Sequence, residues 1–406
     1  METIINILIW VLFALFTVNV LYLLTCSIAA RVRKPGVPPR ATLKKRFVIL
    51  IAAYREDKVI EETVQATLNL DYPRDKFDIC VISDHMKAET NFRLRQLPIK
   101  LLQVDFEQST NTKSLKAALE YLDPKAYDVA LIIDADNIVA PHYLNQVNDA
   151  FNVEGVKVVQ THRVAKNINT DMAYLDAMSE EINNSLFRLG HVNLGLSSAL
   201  IGSGMAFQYD IFYDAMMSNQ SVGGFDRVLE MKLLYDGVKF HYLPEAYVKD
   251  EKIQRTQNFY QQRRRWLSAQ YYSLGEFVHR LIPAILKGKW DFVDKLYQQA
   301  ALSRVLLLGF TFLIALVTTI FETVPCLEET VPICRYMPWC WWSLFALLAL
   351  AILLAIPNHF YTWRLVKAIM LVPYSFLLMV ANLFRLREAN KRFIHTEHGI
   401  EENKKK

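Results

Sequence analysis

The chain has no G-x-G-x-x-G and no G-x-x-x-x-G-K-[ST] after any apolar run, so the glycine loops that cradle phosphates in dinucleotide-binding and P-loop folds are missing. Another device must hold any phosphate. Cysteine is scarce: Cys26, Cys80, Cys326, Cys334 and Cys340 form no C-x-x-C pair and no spacing with histidine that suits zinc. A disulfide among the last three, which share a short loop, is not favoured. Neither charge sign dominates. The 46 Lys+Arg against 41 Asp+Glu leave a net charge of +5 over 406 residues, too little to mark a nucleic-acid binder. With 52% hydrophobic residues the chain is not a disordered one. The mean hydropathy of +0.13 is high for a soluble enzyme, yet 21% charged residues are too many for a pure membrane bundle. Water-facing and lipid-facing parts must therefore alternate.

Residues 4–30 form an apolar run without a charge. At ~1.5 Å per residue the run reaches roughly 40 Å, enough to cross a ~30 Å hydrocarbon core with tilt. A signal peptide would be shorter and preceded by basic residues, whereas here Arg31, Arg33, Lys34, Arg40, Lys44, Lys45 and Arg46 follow. By the positive-inside rule they hold the next segment in the cytoplasm. The organisation expected is a membrane helix over 1–30, a soluble domain over 31–299, a membrane region over 300–384 and a basic tail over 385–406. Three apolar runs make up the membrane region, at about 300–321, 341–356 and 365–383. If all three crossed, the basic tail would end outside against the rule. The third contains Lys367 and Pro373 and is therefore expected to be re-entrant or interfacial.

The soluble part alternates strand and helix patterns: strands at 47–53, 77–83, 100–104 and 129–133, helices at 58–69 and 113–121. That order predicts a parallel sheet within an α/β domain of normal size. Ligands of such sheets bind beyond the carboxyl ends of the strands, where Tyr54-Arg55-Glu56, Asp84-His85, Asp105 and Asp134-Ala135-Asp136 follow. An Asp-x-Asp pair leaving a strand can aim two carboxylates at one divalent cation, Mg²⁺ or Mn²⁺, which in turn takes diphosphate oxygens. More often such a pair is a helix cap or a solvated turn. Farther on, Gln262-Arg263-Arg264-Arg265-Trp266 lies in an aromatic, basic stretch. Its bland reading is a helix at lipid headgroups; its sharper one puts Arg on pyrophosphate oxygens and Trp266 on a sugar face.

Together these residues resemble the family 2 glycosyltransferases, in particular the membrane-embedded, cellulose-synthase-like branch with a Q-x-x-R-W signature. The likeness runs from about residue 47 to 266. It implies a GT-A-like fold, a Rossmann-like mixed sheet, on the cytoplasmic side of transmembrane helices. Ala53, Tyr54 and Glu56 fall in the first-strand motif that touches the nucleoside, Asp84 where the family binds uracil, and Lys113 where it keeps a basic residue beside the nucleotide. Asp134 and Asp136 match the metal motif, with Asp136 on the ion. Gly202, Ser203 and Gly204 match the loop lining the sugar pocket, and Gln262, Arg265 and Trp266 the signature at its mouth. His395-Thr396 resembles a tail motif of related bacterial enzymes. The family's Glu-Asp pair is altered: Phe225 replaces the Glu, Asp226 keeps the place of the base, and Glu230 stands one helical turn on.

The resemblance implies an inverting transferase of the cell (inner) membrane that moves a sugar from a UDP-sugar to a growing β-linked polysaccharide, with help from a divalent metal. With only four apolar runs, a closed export channel would be small or would need export partner proteins. The alternatives are transfer of one sugar to a membrane lipid, of the ceramide or polyprenyl-phosphate type, and a non-catalytic assembly subunit on the same fold.

Overall fold

The computed structural model describes residues 2–32, 36–254, 256–323 and 337–383. Cys326, Cys334, the basic tail and His395-Thr396 lie outside them. The run at the N-terminus is one long helix, α1 (Glu2–Val32). After it the chain builds a sheet of eight strands, β1 (Phe47–Tyr54), β2 (Phe77–Asp84), β3 (Lys100–Val104), β4 (Val129–Asp134), β5 (Ile138–Val139), β6 (Val158–Ala165), β7 (Met205–Gln208) and β8 (Phe240–Asp250). Their order is β3-β2-β1-β4-β7-β6-β8-β5. The first four are parallel, as the alternation of strands and helices predicts. β7 runs antiparallel to β4 and β6, so the sheet is mixed.

The run FVILIAAY of β1 is buried on both faces because helices cover both. Val48 and Leu50 point to one layer with Leu115, Phe212 and Leu229, while Phe47, Ile49 and Ile51 point to the other with Ile60, Val64 and Leu144. The helices concerned are α2 (Ile60–Leu68), α4 (Asn111–Tyr121), α5 (Tyr143–Phe151), α8 (Tyr209–Met217) and α9 (Phe225–Tyr235), α3 (Ala88–Arg95) lying between β2 and β3.

A third core joins the sheet domain to the apolar helices. Helix α6 (Asp171–Asn183) continues through a π-helical turn (Asn184–Gly190) into the short α7 (His191–Asn193). Its Met172, Leu175, Met178 and Ile182 pack with Phe16, Val20 and Leu23 of α1 and with Trp341 and Leu344. Gly190 of the π turn meets the Cys26 carbonyl of α1 so closely that any side chain there would collide. The chain then runs through α10 (Thr256–Phe277), α11 (Leu281–Leu286), α12 (Trp290–Ala300), α13 (Arg304–Thr323), α14 (Met337–Ala355), α15 (Trp363–Met370) and α16 (Val372–Leu383). Among the described residues four stretches are long and apolar enough to cross a membrane: Asn6–Val32, Arg304–Thr323, Met337–Ala355 and Trp363–Leu383. The last is two helices that meet at Leu371, just before Pro373.

Candidate active site

The parallel strands end at one edge, and the backbone there is strained. Among the described non-glycine residues Arg55 (φ 56°) and His85 (φ 54°) are left-handed, each one step past the paired strand ends Tyr54 and Asp84. Such conformations cost about 1–3 kcal/mol each and gather at functional sites. His85 holds Asp84 through Nδ1 at 2.6 Å and Asp105 through Nε2 at 3.0 Å. Their ligand atoms lie close enough together to hold a cation. Asp84 is buried, and its Oδ2 accepts no hydrogen bond from the described residues.

Beside this edge a cavity of about 270 Å³ opens, lined by Tyr54 at the end of β1 and Glu56 just after it, Asp134 at the end of β4 and Asp136 just after it, Gly202, Asp226 of α9, and Gln262, Arg265 and Trp266 of α10. Asp136 is buried and fixed: its Oδ2 accepts the Glu251 amide at 2.9 Å and its Oδ1 the Asn137 side-chain amide at 3.1 Å. The Asp134 amide donates to Ser203 Oγ at 3.2 Å, and the Gly204 amide to the Ile132 carbonyl at 2.8 Å. The 202–204 loop thereby locks onto the Asp-x-Asp turn. Gly204 (φ +63°) allows no side chain, because a Cβ would collide with Thr161 Oγ1. Gly224 (φ +69°) opens α9 where a Cβ would strike Ala269 of α10, so the helix carrying Asp226 and the helix carrying Trp266 touch at a glycine.

Arg265 feels the charges of Asp134 and Asp226. Burial pushes its guanidinium below the ordinary value, and the two acids push back. Gln262 Oε1 is buried without a hydrogen-bond partner among the described residues. Arg263 points away to Asp176 (2.5 Å), and its guanidinium lies 4.4 Å from the Trp266 ring centre.

Not every expected residue reaches the cavity. Ala53 and Ser203 sit immediately behind lining residues, and Lys113 is exposed on the first turn of α4 with its Nζ on the Gln108 carbonyl at 2.8 Å. Glu230 lies under the cavity, buried, accepting the Leu200 amide at 2.9 Å and pairing with Lys295 of α12 at 3.0 Å. Its one turn of separation from Asp226 carries it from the cavity to the support of the loop.

Sequence reasoning missed a second polar wall: Arg163, Glu180, Asn183 and Asp250 also line the cavity. Arg163 donates to Glu180 at 2.9 Å and forms a looser ion pair with Asp250 at 3.5 Å, and Arg188 donates to Glu180 at 3.0 Å. Burial would raise the Glu180 carboxyl, but Arg163, Arg188 and Lys252 outweigh it and hold the group well below the usual range. Burial pushes Asp250 up against the pull of Lys252 and Arg163. Asp250-Glu251 ends a strand parallel to β6, the same sign that singled out Asp84 and Asp134. Glu180-Glu181 carry no such sign, because α6 also holds Asp171, Asp176 and Ser179 and its pattern does not set the pair apart.

A mixed sheet with acids at one edge, a glycine loop over them and a helical cap is the GT-A-like architecture of nucleotide-sugar enzymes. A mannosyltransferase from Pyrobaculum calidifontis, solved in complex with GDP-Man and Mn²⁺, has the same fold: TM-score 0.53 at 16% identity, over 85% of this chain and 96% of that one. The model described as "Glycosyltransferase like family 2" matches residues 45–269, and the chain belongs to that family. Two curated relatives are beta-monoglucosyldiacylglycerol synthases, from Trichormus variabilis and a Nostoc species. Each is 26% identical over 229 residues, which is 55% of this chain and 48% of the relative. The chain thus spans about half the length of the curated relatives it matches.

Proposed function

We propose that the protein is a membrane-bound inverting glycosyltransferase that moves one sugar from a UDP-sugar to the hydroxyl of a membrane lipid. The observation that carries the transfer is the convergence of Asp134, Asp136, Asp226, Gln262, Arg265 and Trp266 on one cavity. Two observations favour a lipid over the growing polysaccharide suggested by the Q-x-x-R-W signature. The curated relatives are named for a glucosyldiacylglycerol product. And α6 is shared: its Glu180 and Asn183 line the cavity, while its Leu175 and Met178 pack on the membrane helices. A lipid hydroxyl delivered from the bilayer then has a short way to go, and no export partner is required.

In the reaction Asp226 takes the proton of the acceptor hydroxyl. The hydroxyl oxygen forms its bond to the anomeric carbon as the bond to the diphosphate breaks, and UDP leaves with its electron pair. No covalent sugar–enzyme species is needed. The carboxylate set of Asp134 and Asp136 suits a hard cation, Mg²⁺ or Mn²⁺, which when bound offsets charge on the leaving diphosphate. Arg265 adds a cation on the same side. Gln262 Oε1 is available to a sugar hydroxyl, Trp266 offers its ring to a sugar face, and Asp84 Oδ2 is an acceptor for the uracil N–H. The catalytic domain works at the cytoplasmic face of the cell membrane.

The test is purified protein with a panel of UDP-sugars and vesicles containing diacylglycerol, reading released UDP and extracted glycolipid. A single glycolipid supports the proposal. Polymer in place of glycolipid, or no turnover with any donor while the protein is folded, contradicts it.

A further inference from the structure

The fourth apolar stretch, Trp363–Leu383, is long enough to cross a membrane at about 1.5 Å per residue. Its contacts say otherwise. At its start the Arg364 guanidinium donates to the Ile168 carbonyl at 2.8 Å and the Thr170 carbonyl at 3.3 Å, just ahead of α6 in the catalytic domain. Just before it, the Phe360 carbonyl accepts the Tyr174 hydroxyl at 2.8 Å. At its far end Asn382, fully buried, reaches the Tyr260 carbonyl of α10 at 3.5 Å. Both ends therefore rest on the same domain.

The middle is shallow. Phe376 packs on Gly309 of α13 so tightly that a Cβ on Gly309 would collide with its ring, and it meets Phe310 edge-on at 5.3 Å between centres. Gly309 is five residues along α13 from Arg304, or about 8 Å, and Arg304 donates to Asn183 of α6 at 2.8 Å. A crossing segment would carry one of its ends roughly 30 Å from the domain. The two preceding helices do make the return trip: α14 comes back to Arg31 at the end of α1, which donates to the Leu354 carbonyl at 2.7 Å and the Ile356 carbonyl at 2.5 Å.

We infer that Trp363–Leu383 is a re-entrant pair of helices that enters only the leaflet facing the catalytic domain and leaves on the side where it began. Its partner is the acyl layer of that leaflet. Trp363, Val366, Ile369, Met370, Tyr374 and Leu377 are exposed on it, continuous with the exposed apolar face of α13 (Phe312, Leu313, Leu316). Exposed Lys367 sits in that apolar face within reach of headgroups, and the break at Leu371–Pro373 is where a shallow hairpin turns. The inference is independent of the reaction proposed above.

The tail beyond the segment is rich in charge and has no run long enough to cross, so the side on which it emerges reads the topology. An epitope is placed after Lys406, and in a second version in the exposed turn at Gly155 of the catalytic domain. Sealed inside-out and right-side-out membrane vesicles are then probed with antibody and protease. Both epitopes are expected to be reached in the same vesicle orientation. A tail epitope reached only in the orientation that protects the Gly155 epitope would overturn the inference.

Discussion

Asp136 shows how far single residues could be read from the sequence. The Asp-x-Asp spacing at a strand end marks both carboxylates, because residues leaving β4 have nowhere else to go than the ligand edge. The spacing does not reveal that the Glu251 amide and Asn137 hold Asp136 in place, since Glu251 arrives from β8, far along the chain. An Asn at this position would keep the shape but lose the charge, and its amide group would face the Glu251 N–H donor to donor in one orientation. Asp136→Asn should therefore abolish transfer and remove the dependence of UDP binding on Mg²⁺ or Mn²⁺, with the fold intact. Titrating UDP with and without the metal checks it, and undiminished wild-type turnover in EDTA would count against the metal altogether.

Helix α9 is the element on which the sequence was ambiguous. Asp226 and Glu230 are one turn apart and share a face, so spacing alone allows either to be the base. Tertiary contacts separate them: Glu230 meets the Leu200 amide and Lys295, neither visible from its own helix. Glu230→Gln removes the carboxylate paired with buried Lys295, whose Nζ also donates to Gln298 Oε1 at 2.9 Å, and breaking a buried pair in this way typically costs about 3–5 kcal/mol. The variant should lose stability on that scale and keep more turnover than Asp226→Asn. A Glu230→Gln protein of unchanged stability and no activity would return Glu230 to the chemistry.

The neighbouring residue of α12 ties the domain to α1. Asp294 accepts the Tyr22 hydroxyl at 2.7 Å and pairs with buried His191 at 3.3 Å. Burial alone would lower the His191 value, but the hydrogen bond and charge of Asp294, together with Cys26 of α1, outweigh it and push it up to about 9. A raised folded value contributes stability that is complete below the ordinary histidine value of about 6.5. The contribution is lost as pH climbs through about 9. The melting temperature in detergent should fall across that window, and His191→Gln should flatten the fall. An equally steep fall in the variant would assign it to other groups.

Over the whole molecule, local patterns were the legible part. The buried runs of β1, β2 and β4 and the helix between each pair fix the parallel half of the sheet, because strands covered on both faces must be continuously apolar. Less legible were the joints between the sheet domain and the apolar helices. The polar wall of Arg163, Glu180 and Asp250 comes from β6, α6 and β8, and the course of Trp363–Leu383 depends on partners at Ile168 and Tyr260. Composition records that such a segment is apolar, whereas only packing records that both its ends come to rest on the same domain. The proposed transfer turns on Asp226 as the base at the cavity. The measurement that tests it most directly is turnover and UDP-sugar affinity of Asp226→Asn beside the wild type: a loss of about 10²- to 10⁴-fold in turnover with affinity nearly unchanged is expected, and turnover within a few-fold of wild type would contradict it.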